Sequence, residues 1–135
     1  MRRSDQRRDA VFALYQHDLT GRSLDELLAD AKPFTRQLAL SVDGDRERLD
    51  SVISSNLRDW TINRVAPLEL NIMRVAIYEG LESDEVPVSV AIDEAVETAK
   101  EYCGKDAPGF VNGVLGAALE SADPGSDPHR ADEGL

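Results

Sequence analysis

Cysteine is almost missing from this chain of 135 residues, and the lone Cys103 cannot close an internal disulfide. Histidine is nearly as rare, and neither His17, His129 nor Cys103 sits at a metal-ligand spacing. No apolar run approaches the roughly 20 residues that a membrane helix needs. The Arg-rich N-terminus is not followed by the apolar core of a signal peptide, so a cytoplasmic protein is expected. The parts of common active sites are also missing. There is no phosphate-cradling glycine loop, no strand-turn-helix setting for a nucleophile and no Glu-x-x-His pair. A surplus of positive charge is lacking too: the formal net charge is −11, which by itself argues against nucleic acid as a partner.

What is present is the composition of one folded domain, with 41% hydrophobic and 30% charged residues. Apolar residues recur at helical spacing and no segment alternates as a strand, which predicts an all-α fold of about seven helices. The first is expected from about Asp5 to Leu19, stopped by Gly21. Ser23 and Glu26 form a capping box for a short second helix, and Pro33 opens a third that carries Phe34, Leu38 and Val42. Leu49, Val52, Ile53, Leu57 and Trp60 make one stripe of a fourth, interrupted by Asn56. Pro67 suits the first position of a fifth helix, built on Leu70, Met73, Ile77 and Leu81. A sixth, starting near Pro87, turns Ile92, Ala95, Val96, Ala99 and Tyr102 inward, and its small residues suggest a central place in the bundle. Gly104 ends it and Asp106 can cap a seventh. Beyond Ser121 periodicity stops and an acidic, disordered tail is expected, leaving residues 1–120 as the domain.

Charge is unevenly placed. Arg2, Arg3, Arg7 and Arg8 crowd the first eight residues against one acid, Asp5, whereas the tail is acidic. Arg3 and Arg7 are four apart and share a helix face that can track a phosphate backbone. About three phosphate contacts give a salt slope of only about −2 on single strands, so such a head needs a second contact. Phe110 is the candidate. Its ring opens the last helix beside Lys105, Asp106 and Asn112, where it can pack into the core or stack an unpaired base. Periodicity favours the core. Tyr15 is open in the same way, its hydroxyl serving either a buried acceptor or a partner. The acids Asp93, Glu94, Glu97 and Glu101 can in principle hold a cation, but acids at this spacing normally form a solvated face.

Four blocks in order, RR…R…ALY from Arg2 to Tyr15, RVAPLELNIMRVAIYE from Arg64, VPVSVAIDEAVETAK from Val86 and GFVNGVLG from Gly109, resemble the bacterial NusB family. The resemblance implies an all-helical, non-enzymatic factor without cofactor, acting in processive transcription antitermination on ribosomal RNA operons. It implies a heterodimer with NusE, a small-subunit ribosomal protein, on the single-stranded boxA element of nascent RNA. Other Nus factors and RNA polymerase then join indirectly. By the same resemblance Arg2, Arg3 and Arg7 stand in the RNA-binding head, Asp106 and Phe110 at the RNA-contacting start of the last helix, and Tyr15 and Glu69 at positions facing NusE. The balance for Phe110 then moves from core packing to stacking.

Departures from the family pattern are few. Asp5 and Asp9 dilute the arginine head, Phe12 stands where a glutamine is common, and Gly80 and Gly116 replace a usual leucine and aspartate, which is expected to loosen packing by up to roughly 1 kcal/mol each. Two other functions compete: a helical adaptor that binds protein without RNA, and a relative of the NusB-like domain of ribosomal RNA cytosine methyltransferases, disfavoured because no cofactor domain follows Glu120. Self-association as a homodimer when free, and autoinhibition of the arginines by the acidic tail, are open to test.

Overall fold

The computed structural model describes residues 2–119, so the expected acidic tail lies outside the described residues. Among these are α1 (Arg3–Thr20), α2 (Leu24–Leu27), α3 (Pro33–Gly44), α4 (Arg46–Ser55), a 3-10 turn (Ile62–Arg64), α5 (Pro67–Glu82), α6 (Val88–Tyr102) and α7 (Ala107–Leu119). The fold is all-α, as expected.

Local chemistry accounts for most of the boundaries. Gly21 adopts φ 74°, the left-handed cap that favours glycine, and its N–H donates to the His17 carbonyl at 3.0 Å. Ser23 Oγ accepts the Glu26 N–H at 3.2 Å, while the Glu26 carboxylate turns to Arg22. Pro33 and Pro67 occupy first-turn positions, where a missing N–H costs nothing.

The fourth helix is shorter than its apolar stripe. It stops at Ser55, because the Asn56 amide donates to the Val52 carbonyl at 2.8 Å and Asp59 takes a left-handed φ of 58°. Leu57 and Trp60 therefore leave the helix for the connection to α5, and Trp60 is 43% exposed.

The centre of the bundle is α5, not α6. It packs against α1, α3, α4, α6 and α7, and is buried continuously from Asn71 to Ile77. A helix apolar on most of its circumference belongs inside, which outweighs the small residues of α6. Ala91, Ala95 and Ala99 of α6 are buried, but Tyr102 is exposed, its ring edge-on to Phe12 at 4.9 Å. Gly80 corrects the expectation of looser packing: a Cβ there would lie 2.9 Å from both Leu119 methyls, so the glycine lets α7 close onto α5.

Buried polar groups on α5 pin three helices together. Arg74 meets Asp50 of α4 through two hydrogen bonds of 2.7 and 2.8 Å, and donates to Asp18 of α1 at 2.9 Å and to Asn71 at 3.1 Å. Arg46 and Asn71 also donate to Asp18, at 2.6 and 2.9 Å. Burial alone would raise the Asp18 carboxyl, but the Asn71 and Arg46 hydrogen bonds and the charges of Arg46 and Arg74 outweigh it and hold it below its ordinary value.

Candidate nucleic-acid interface

The N-terminal arginines divide on folding. Arg3 and Arg7 do share a face of α1, and both guanidiniums lie over the Phe34 ring of α3, at 4.0 and 5.8 Å from its centre. At Arg7 that face is turned inward. Arg7 is 9% exposed and forms a two-pronged ion pair with Glu79 of α5, itself 4% exposed, with Glu94 of α6 at 3.9 Å. Its donors are committed to the bundle, so the expectation that Arg7 tracks phosphate gives way to a structural role. Arg8 is drawn to Glu101 at 2.7 Å. Arg2 and Arg3 stay exposed, and Arg3 borders an open groove of about 680 Å³ lined by Phe34, Tyr78, Glu82 and Glu85.

Three of the four acids of α6 are engaged within the molecule, and Asp93 is exposed. Glu94 accepts from Ser4 at 2.7 Å, Glu101 pairs with Arg8 and Glu97 with Lys100. No cluster able to hold a metal occurs among the described residues.

At the other end of the bundle the remaining candidates gather. Asp106 is exposed immediately before α7, and its carbonyl accepts the Phe110 N–H at 3.2 Å. Phe110 is half-buried, its ring 5.1 Å from that of Trp60 at an interplanar angle of 58°. Glu69, in the first turn of α5, is half-buried, and desolvation raises its carboxyl. Cys103, at the end of α6, is near enough for the Glu69 charge to add to burial in pushing its thiol up. Tyr15 is half-buried on α1, one turn before Asp18, which meets Asn71 of α5. Folding thus brings Asp106, Phe110, Glu69 and Tyr15 to one end of the bundle. Arg3 lies at the Glu82 end, and the 13 residues from Glu69 to Glu82 place the two ends about 20 Å apart along α5.

Residue composition hides how few cations are available. Arg7, Arg8, Arg22, Arg36, Arg46, Arg48, Arg74 and Lys100 all sit on carboxylates. Among the described residues Arg2, Arg3, Lys32, Arg58, Arg64 and Lys105 form no such pair. Arg58 and Arg64 line one groove with Trp60 and Phe110.

The NusB family model matches residues 4–120 of this chain. The chain belongs to the NusB family. It is 42% identical over 121 residues to the transcription antitermination protein NusB of Geobacillus kaustophilus, covering 85% of this chain and 93% of that one. Its fold is similar to that of T. maritima NusB, with a TM-score of 0.83 at 27% identity and 98% of each chain covered. A structure of the antitermination factors NusB and NusE in complex with dsRNA is similar over 88% of this chain and 96% of that NusB, with a TM-score of 0.77 at 29% identity. No helix among the described residues is long and apolar enough to cross a membrane.

In this NusB-family chain periodicity gave no sign that Arg58, Trp60 and Arg64 would share a groove with Phe110. Their signal was present, two arginines and a tryptophan within the seven residues RDWTINR. It was masked because Trp60 falls on the helical period of α4, although the helix stops before reaching it.

Proposed function

We propose that this chain is a transcription antitermination factor that works in the cytoplasm as a heterodimer with a NusE-type ribosomal protein. Its target is boxA-type single-stranded RNA of nascent ribosomal RNA transcripts, and other Nus factors and RNA polymerase are engaged through the pair. It catalyses no reaction. The observation that carries this reading is the likeness, over nearly the whole fold, to a NusB solved together with NusE and RNA.

Geometry supports a division of labour. Arg2 and Arg3 supply phosphate contacts at one end, and Phe110 with Asp106 supplies base recognition at the other, since single-stranded RNA is read by stacking and edge contacts. Tyr15 and Glu69 flank that second end and serve the protein partner. With Arg7 committed to Glu79, two phosphate contacts remain in the head, and they contribute a salt slope of only about −1.4. Affinity from the head alone is therefore low, which is why the partner is needed.

The test is titration of a boxA-type single strand, a scrambled strand and a duplex, with the protein alone and with its NusE partner, at two salt concentrations. Partner-dependent preference for the boxA strand is expected. Equal binding of scrambled RNA by the pair would refute the reading and favour a protein-only adaptor.

A further inference from the structure

The groove between the α4–α5 connection and the outer face of α7 holds about 580 Å³ and is lined by Arg58, Asp59, Trp60, Arg64, Gly109, Phe110 and Gly113. Trp60 and Phe110 are in contact at 5.1 Å, so nothing can enter between them, but the 43% exposure of Trp60 leaves an outer ring face open. Two guanidiniums border it against one carboxylate, Asp59, in a chain whose net charge is −11. Neither Arg58 nor Arg64 is in an ion pair among the described residues, whereas most other arginines are.

The glycines give an independent indication. Gly109 and Gly113 lie one turn apart within α7, where each costs helix stability relative to alanine. A Cβ at either position would meet nothing within 4 Å. Packing inside the molecule therefore does not require them, in contrast to Gly80. What they do is keep one wall of the groove bare, so that a flat group can approach the α7 backbone beside Phe110.

We propose that this groove is a further RNA subsite, in which one unpaired base stacks on the outer face of Trp60, its edge toward Phe110, while Arg58 and Arg64 hold its flanking phosphates. The inference rests on the RNA-binding reading above and extends it to residues on the α4–α5 connection. A base matches the site in being flat, aromatic and attached to anionic groups on both sides, and stacking is tolerant of base identity. The position of the groove, at the end of the bundle away from Arg3, makes it the second contact that the weak arginine head lacks.

Trp60 is the single tryptophan of the chain, so its emission reports directly on the groove. The probe is a boxA-type single-stranded oligonucleotide, added to the complex with the NusE partner while the anisotropy of a labelled copy follows total binding. Quenching of Trp60 that saturates with the anisotropy is expected. Trp60→Leu, which still covers Phe110 but has no ring to stack, should weaken binding about five-fold or more, and Trp60→Phe should recover most of the loss. Gly113→Leu adds a side chain to the groove wall at a position where a Cβ meets nothing within 4 Å, and should weaken binding while keeping or raising the melting temperature. Arg58→Ala and Arg64→Ala should each lower the salt slope by about 0.7.

Tight RNA binding with unchanged emission, and unchanged affinity in Trp60→Leu and Gly113→Leu, would overturn the subsite and leave the wider RNA reading standing. Absence of RNA binding by the unaltered complex would overturn both. A change in emission on adding the protein partner alone, with none on adding RNA, would overturn the subsite by assigning the groove to the protein interface.

Discussion

Replacing Arg7 is expected to unfold the protein more readily rather than release RNA. Its guanidinium and the Glu79 carboxylate are 9% and 4% exposed and joined by two hydrogen bonds, with Phe34 above and Glu94 3.9 Å away. Removing one member strands the other charge in a dry site, which typically costs about 3–5 kcal/mol. For a domain of this size that is a fall in melting temperature of about 10–20 °C. Arg7→Met keeps the volume of the stem but leaves Glu79 unpaired, and should show the full loss. Glu79→Leu alone leaves Arg7 with the more distant Glu94, and should lose less. Arg7→Met with Glu79→Leu removes both charges together, and should recover most of the stability, because a well-packed apolar pair often matches a buried ion pair. Thermal and urea unfolding of the three variants measure the coupling. The salt slope for RNA should be the same in the double variant as in the unaltered protein. A melting temperature within about 2 °C in Arg7→Met, together with a slope reduced by about 0.7, would refute this placement and return Arg7 to the RNA face.

Gly80→Leu, which installs the residue common in the family, should destabilise by about 1–3 kcal/mol despite better helix propensity, because its side chain would collide with the buried Leu119; denaturant midpoints decide, and an increase would refute the close approach. The depressed Asp18 carboxyl contributes stability that is complete above its ordinary value near pH 4 and is lost as pH falls through the lower, folded value. Asp18→Asn should therefore flatten the acid limb of stability against pH; an unchanged limb would mean that other carboxylates carry it. Phe110→Ala should weaken boxA binding by about 1–3 kcal/mol, with a smaller loss of stability than a fully buried phenylalanine would give, since its ring is half-exposed; a large fall in melting temperature with unchanged RNA affinity would make it a core residue.

Much of this molecule was legible from short-range pattern. Glycine at 21, the Ser23 cap and the prolines at 33 and 67 act through their own backbone, so their consequences appear within a turn and can be read in one dimension. The all-α class and the existence of α5 and α7 follow from periodicity, which reports how a helix divides its faces. Periodicity does not report which face meets which neighbour. Arg3 and Arg7 have the same spacing relation in sequence and in the fold, yet Arg7 is buried because Glu79, 72 residues away, arrives beneath it. Trp60 keeps the period of α4 but not its helix, since Asn56 and Asp59 end the helix first. Gly80 and Gly113 are both helical glycines, and only the neighbour at 2.9 Å in one case and open space in the other separates a packing device from a bare groove wall. The sequence by itself determined the all-α class, the caps at Gly21 and Ser23 and the family to which the chain belongs. Tertiary structure alone decided which cations stay free of carboxylates and which aromatic rings face solvent, because pairing and burial depend on distances between residues that are remote along the chain.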